Sequence, residues 1–434
     1  MSAPPAHNGH TAGQVQRVYL LLTLLTTLAA SFIWGINTLF LLDAGLSNTE
    51  AFAANAFFSI GMVIFEVPTG VVADTRGRRF SFMLGAATLL VSTLLYLWMW
   101  NESAPFIGWA IASMLLGLGF TFFSGATEAW LVDALGATGF EGNLETVFGR
   151  GQTIAGVAML TGSVLGGIVA QMTSLGVPYV LRAIMLGVAL LAAFWFMRDL
   201  GFKPKTDIST SDAVRDIARG SIDGGLRNRP VRWMMLAAPF TGGVGFYAFY
   251  AMQPYLLELY GDPTAYSIAG LAAAIVAGAQ IVGGLSVPLV RRFFSLRTNA
   301  IFLAVALESV ILVAIAVVGF NMDELGMTAF YLAIVLLVAW ALVFAIAGPI
   351  RQAFLNGIIP SEQRATVLSF DSLMGSIGGA VAQPALGRVA DTSGYAASYL
   401  VSGAISVMAL PFVFLARREG APSDPIDDSE TTAA

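Results

Sequence analysis

The chain has 434 residues, 57% hydrophobic and only 11% charged, with mean hydropathy +0.76 and a formal net charge of −5. Soluble domains carry about 25% charged residues, so a water-facing globule is excluded. Zero cysteines exclude disulfides and thiolate sites, and scattered basic groups without a continuous stripe exclude nucleic acid as a partner.

Residues 1–17 are polar, hold both histidines (His7 and His10) and lack the basic-then-apolar order of a cleavable signal. They read as a disordered cytoplasmic tail. A bilayer core of about 30 Å takes about 20 helical residues, and twelve stretches qualify. They are 18–42, 50–72, 80–100, 105–133, 146–172, 177–198, 231–257, 266–290, 299–320, 327–350, 364–388 and 395–416, numbered here as spans 1 to 12. Lipid offers no partner for free backbone groups, which requires helices; the alternating segments of a β-barrel are absent. The expectation is an all-α membrane protein of two pseudo-symmetric six-helix bundles.

Basic residues concentrate on cytoplasmic loops. With the N-terminus inside, every Lys and Arg except Arg182 and Arg388 falls on the cytoplasmic side. Those two lie near span ends, where they can snorkel. Loops on the other side carry acids such as Asp43, Glu50, Glu102 and Asp262. The reading is a multi-pass plasma (inner) membrane protein with both termini cytoplasmic. Residues 18–198 form one bundle and 231–416 the other, joined by a polar linker at 199–230, with a second tail at 417–434. Within the linker, Asp212 to Arg219 forms either a short amphipathic helix on anionic lipid or solvated chain.

The halves are internally similar. Ser124 to Asp133 of span 4 aligns without a gap with Ala347 to Asn356 of span 10, setting Glu128 against Arg351. Likewise Asn37 of span 1 falls opposite Gln253 of span 7. Such parallel repeats enclose one central site in transporters.

Between spans 2 and 3 the chain reads G-V-V-A-D-T-R-G-R-R, from Gly70 to Arg79. Charges at the bilayer centre cost at least roughly 2.5–3.5 kcal/mol apiece, which makes this a polar turn at the water boundary. It resembles the loop signature of the major facilitator superfamily, G-x-x-x-D-[R/K]-x-G-[R/K]-[R/K], with Thr75 where a basic residue is usual. The resemblance implies a transporter that works by alternating access, in which Asp74 helps lock the cytoplasmic side. Arg78 would reach Asp133 at the foot of span 4. Span 5, Gly149 to Gly167, is similar to the antiporter motif of drug:proton antiporters, with Ala158 for a glycine and Ser163 for the proline. Such small residues also serve close helix packing alone. The run Gly375 to Pro384 in span 11 packs against span 8 or lines the gate.

Ionisable residues inside a membrane mark function by default. Glu66, beside Pro68 in F-E-V-P-T-G, is read as a buried proton or cation site, or as a structural hydrogen-bond partner. On the superfamily arrangement spans 4 and 10 converge toward the cytoplasm, so Glu128 and Arg351 would pair across the bundles when that side closes; each pairing within its own bundle is the alternative. Glu308 of span 9, peripheral in the superfamily, is read as structural. Spans 1, 4 and 7 offer aromatic and amide residues for a cavity: Trp34, Asn37, Phe123, Tyr250 and Gln253. That mixture suits a small hydrophobic or amphiphilic solute. No phosphate-binding G-x-x-x-x-G-K-[ST] loop occurs, whereas one proton crossing about 100 mV supplies roughly 2.3 kcal/mol.

The expectation is a proton-coupled exporter of small hydrophobic or amphiphilic compounds, acting as a monomer and needing no cofactor or metal. Its partners would be a small-molecule substrate, protons and membrane lipid. The alternatives are an importer or uniporter of a metabolite on the same fold, or a nontransporting receptor or enzyme. An enzyme would need a cluster of nucleophile, base or metal ligands, which the sequence does not show.

Overall fold

The computed structural model describes residues 11–204, 215, 225–359 and 364–426. Among them, ten helices are long and apolar enough to cross a membrane. One of the ten, Val367–Arg418, reverses direction at Gly394 (φ 83°) and makes two passes. The twelfth pass is span 7, Arg229–Tyr260, whose prolines, glycines and tyrosines dilute its hydropathy. The amphipathic segment 212–219 lies, Arg215 aside, outside the described residues.

Span 1 starts earlier than the sequence suggests. Thr11 closes a reciprocal capping box with Gln14, so the helix Ala12–Trp34 begins inside the polar tail. It then breaks and resumes as Asn37–Asp43. Span 2, Asn48–Arg76, opens on a second capping box between Ser47 and Glu50. Gly77 separates it from span 3, Arg78–Glu102, at a φ of 108°, which only glycine adopts readily. Span 4 is broken too, into Phe106–Phe123 and Ala126–Ala137. Spans 5 and 6 are Leu144–Met172 and Gly176–Phe196. Spans 8, 9 and 10 are Tyr266–Val290, Arg297–Phe320 and Met327–Asn356.

The apolar cores centre on Phe40, Trp109 and Tyr179 in the first bundle and on Tyr247, Tyr255 and Tyr399 in the second, and each takes in residues of the other: Leu257 and Ala269 join the first, Phe52 the second. Large apolar residues such as Leu285, Val310 and Trp98 remain exposed on the outer surface, as contact with lipid rather than water requires. Between the bundles, span 5 meets span 8 where Gly167 faces Gly270; a Cβ on Gly270 would stand 2.5 Å from the Ser163 carbonyl oxygen. The small residues at the end of the span 5 motif are therefore a packing surface. Of the run Gly375 to Pro384 in span 11, expected on span 8 or at the gate, Gly378 presses on Pro239 of span 7, and Gly375 and Ser376 line a cavity set mainly in the second bundle.

Candidate substrate cavity and its gates

The break in span 1 leaves backbone groups without helical partners, and one residue of the other bundle serves two of them. Gln253, fully buried in span 7, accepts from the Thr38 N–H (3.0 Å) and donates to the Trp34 carbonyl (2.8 Å). Nearby, Asp391 at the turn between spans 11 and 12 takes the first free N–H groups of span 2. It accepts from Asn48 N and Thr49 N, each at 2.9 Å, and from the Thr49 hydroxyl at 2.5 Å. The Tyr395 hydroxyl donates to Asn48, and Ser267 N donates to Gln171 at 3.1 Å. Carboxylate capping of a helix N-terminus is favourable both as hydrogen bonding and as charge on dipole. Together these contacts seal the bundles at the face opposite the Asp74 loop.

Toward the Asp74 face the same helices diverge. Glu66, Gly70, Glu128, Gln280 and Gly348 are exposed there. The cleft leads into a cavity of about 460 Å³, set mainly inside the second bundle and roofed by Trp34. Its walls are aromatic: Phe249 lies edge-on to Trp34 at 5.8 Å, and Trp340 stacks on Phe344 at 5.7 Å, with Tyr250 beside them. Three ionisable groups line it. Arg351 and Asp371 form a two-pronged ion pair, 2.5 Å for each prong, and Arg351 also donates to the Met234 carbonyl at 3.2 Å. Glu308 is 5% exposed and has neither hydrogen-bond partner nor cation among the described residues. The chemistry on offer is stacking for an apolar body plus a few charges that can be exchanged.

At the loop, Arg78 binds Asp74 at 2.6 Å and approaches Asp133 at 3.9 Å. Asp199, just past span 6, accepts from the Arg79 N–H at 2.8 Å, while Arg79 donates to the Phe194 carbonyl at 2.6 Å. The loop is thus strapped to the ends of spans 4 and 6. Burial pushes the Asp199 carboxyl up from its ordinary range, only partly opposed by its bonds to Arg79 and Arg78.

The site residues expected from sequence divide by location. Trp34 and Tyr250 line the cavity, and Arg351 sits on its wall. Asn37 does not: it is buried within the first bundle, donating to Asn55 at 2.8 Å and accepting from Tyr179 at 3.0 Å. Gln253 lies above the cavity in the seal. Phe123 borders a separate, smaller cavity in the first bundle. Glu66 is exposed rather than buried, with its Oε1 accepting from Ser124 at 2.8 Å; Glu128 is exposed as well, and neither lines the cavity. Arg351 is paired inside its own bundle while this side is open. Arg182, expected to snorkel, is 2% exposed inside the first bundle, and Glu308 borders the cavity rather than lying on the periphery. The sequence reading passed over Asp371. An acid within the first third of span 11 was the available signal.

Comparison with known proteins agrees with this architecture. Solved structures of three transporters superpose on nearly the whole chain. The nucleoside transporter NupG matches with a TM-score of 0.73, at 12% identity, covering 93% of this chain and 98% of that one. The POT family transporter PepTSo gives 0.72 at 12%, covering 94% and 98%. A D-xylose–proton symporter gives 0.63 at 16%, covering 93% and 96%. In sequence, an uncharacterised MFS-type transporter of Methanocaldococcus jannaschii is 24% identical over 190 residues, 43% of this chain and 47% of that protein; the chain therefore spans about half of that relative's length. The family profile of the Major Facilitator Superfamily matches residues 19–323. Loop, twelve passes and profile converge: this multi-pass membrane protein belongs to the major facilitator superfamily.

Proposed function

We propose that the chain is a proton-coupled exporter of small hydrophobic or amphiphilic compounds, with the Asp74 face in the cytoplasm of the plasma (inner) membrane. The observation that carries this reading is the aromatic cavity, open to the arginine-rich face and closed at the other by Gln253 and Asp391. In it, a solute enters from the cytoplasm or inner leaflet and stacks on Trp34, Phe249 and Tyr250. Rocking of the bundles then breaks the opposite seal and closes the cytoplasmic side. Asp74, Arg78, Asp133 and Arg351 are the gate groups of that closure, and Glu66 and Glu128 on the open path are the proton-coupling acids. In the closed state Glu128 meets Arg351, its repeat partner.

Everted vesicles test this. Addition of a transported lipophilic dye should dissipate a preset pH gradient, and E66Q or E128Q should abolish the response. Because Arg351 also holds Asp371, the full charge reversal is E128R with R351E and D371R, and it should recover activity lost in E128R or R351E alone. A dye response independent of the gradient and of both acids would end the proton-coupled reading. A second reading, import or facilitated passage of a polar metabolite, rests on the Arg351–Asp371 pair, which such a solute could engage. Uptake running opposite to dye extrusion in the same vesicles would favour it.

A further inference from the structure

The first bundle holds a cavity of its own, about 220 Å³, bordered by Thr26, Ser31, Trp34, Phe123 and Arg182. Arg182, on span 6, is 2% exposed. Its Nε donates to the Thr93 hydroxyl at 3.0 Å and its Nη1 to the Ala29 carbonyl at 3.2 Å, while its guanidinium lies 5.9 Å from the Phe120 ring. Among the described residues Nη2 has no hydrogen-bond partner. No carboxylate pairs with this guanidinium among the described residues. A hydroxyl and a carbonyl orient the head but do not neutralise it, and a buried charge without a counter-ion is among the costliest features a fold can retain. The second bundle shows the contrast, since Arg351 there has Asp371.

The guanidinium is thus held on two sides with one donor edge unused, beside a cavity that shares Trp34 with the larger one. A planar guanidinium fork matches a carboxylate or sulfonate in two-pronged fashion. We propose that Arg182 is an anion-recognition site, binding the acidic group of a small amphiphilic organic anion whose apolar body lies against Trp34 and Phe123. This rests on the exporter reading above and narrows its substrates to weak or strong organic acids with a ring or short chain.

The test uses benzenesulfonate, which is permanently ionised, and its neutral isostere benzenesulfonamide, by isothermal titration calorimetry on the full chain in detergent. The wild type should bind the sulfonate roughly tenfold more tightly than the sulfonamide, a 1.4 kcal/mol preference. R182Q should lose that preference while keeping sulfonamide binding. A30L leaves Arg182 in place and fills the cavity beside it; it should weaken the sulfonate by a similar factor, which keeps the test decisive if R182Q does not fold. Equal binding of the two probes, no measurable sulfonate binding, a preference retained in folded R182Q, or undiminished sulfonate affinity in A30L would overturn the assignment. Because binding is read at equilibrium without a gradient, a failed exporter reading leaves an Arg182-dependent preference intact, and a working exporter can still lack one.

Discussion

The two bundles can be aligned as repeats in sequence, yet aligned positions do different work. Asn37 closes within its own bundle, on Asn55 and Tyr179. Its counterpart Gln253 leaves its bundle and binds the broken backbone of span 1. Glu128 stands exposed, whereas Arg351 opposite it in the repeat is locked to Asp371. The first bundle supplies the strapped loop and the break, and the second supplies most of the cavity and the residue that closes the break. Symmetry of the backbone fixes where helices run, but side-chain chemistry decides which half holds and which half lets go.

The largest effect should come from the one full ion pair in the cavity. D371N removes the counter-charge of Arg351 and leaves it only neutral acceptors, the introduced amide oxygen and the Met234 carbonyl. Breaking a fully buried pair from one side costs about 3–5 kcal/mol, an upper bound for a pair whose Arg351 is 24% exposed. Thermal unfolding in detergent should show a loss of that order for D371N and for R351M. Joining R351M with D371L removes both charges and should recover most of the loss. A double variant no more stable than either single one would show that the pair is not an isolated unit. The matching change in the first bundle, E128Q, exposes no orphan and should leave stability within about 0.5 kcal/mol, as surface changes do.

Much of this was legible from the chain. Span positions follow from hydrophobic length and the loop from Gly70 to Arg79; aromatic content singles out Trp34 and Tyr250, which border the cavity, whereas Arg351, expected to face Glu128, is paired with Asp371. What was not legible depends on breaks and on depth. Nothing in the run around Gly35 announces that span 1 stops and restarts, because glycine is tolerated in membrane helices; without that break, Gln253 reads as a cavity amide rather than a seal. Arg182 sits only a few residues from a span start in sequence, a position suited to snorkelling, but span 6 turns it inward onto Thr93. Glu308 depends on which face of span 9 meets the cavity, and a helix apolar on all sides gives no periodic signal to choose one.

A smaller effect should separate Gln253 from Asn37. The absence of cysteine gives a clean background for spin labels at E102C and D323C, exposed positions of the two bundles that take no part in the seal. Q253L removes two buried hydrogen bonds that cross the bundles, worth about 1 kcal/mol each, and leaves two backbone groups of span 1 unpaired. The label-to-label distance distribution should gain a longer component, as the sealed state loses ground to one with that face open. N37A removes bonds inside one bundle and should lower stability without moving that distribution. If both variants broaden it alike, the division of labour between the repeat-related amides fails.

The smallest effect concerns the strap. Asp199 is held above its ordinary range by burial, though Arg79 and Arg78 pull the other way. The folded chain then binds this proton more tightly than the unfolded chain, whose carboxyl titrates near about 3.9. The sign follows from linkage: the contribution is stabilising below that unfolded value and is lost as pH rises through the folded one. D199N keeps a side-chain oxygen that can accept from the Arg79 N–H, and it removes the titration. Its melting temperature should therefore vary less with pH than that of the wild type across the acid range, and at neutral pH should equal or slightly exceed it. A steeper dependence in D199N, or a clear loss of stability at neutral pH, would mean that the charge itself holds Arg78 and Arg79. The loop would then be an electrostatic strap rather than one made by hydrogen bonds to a partly buried acceptor.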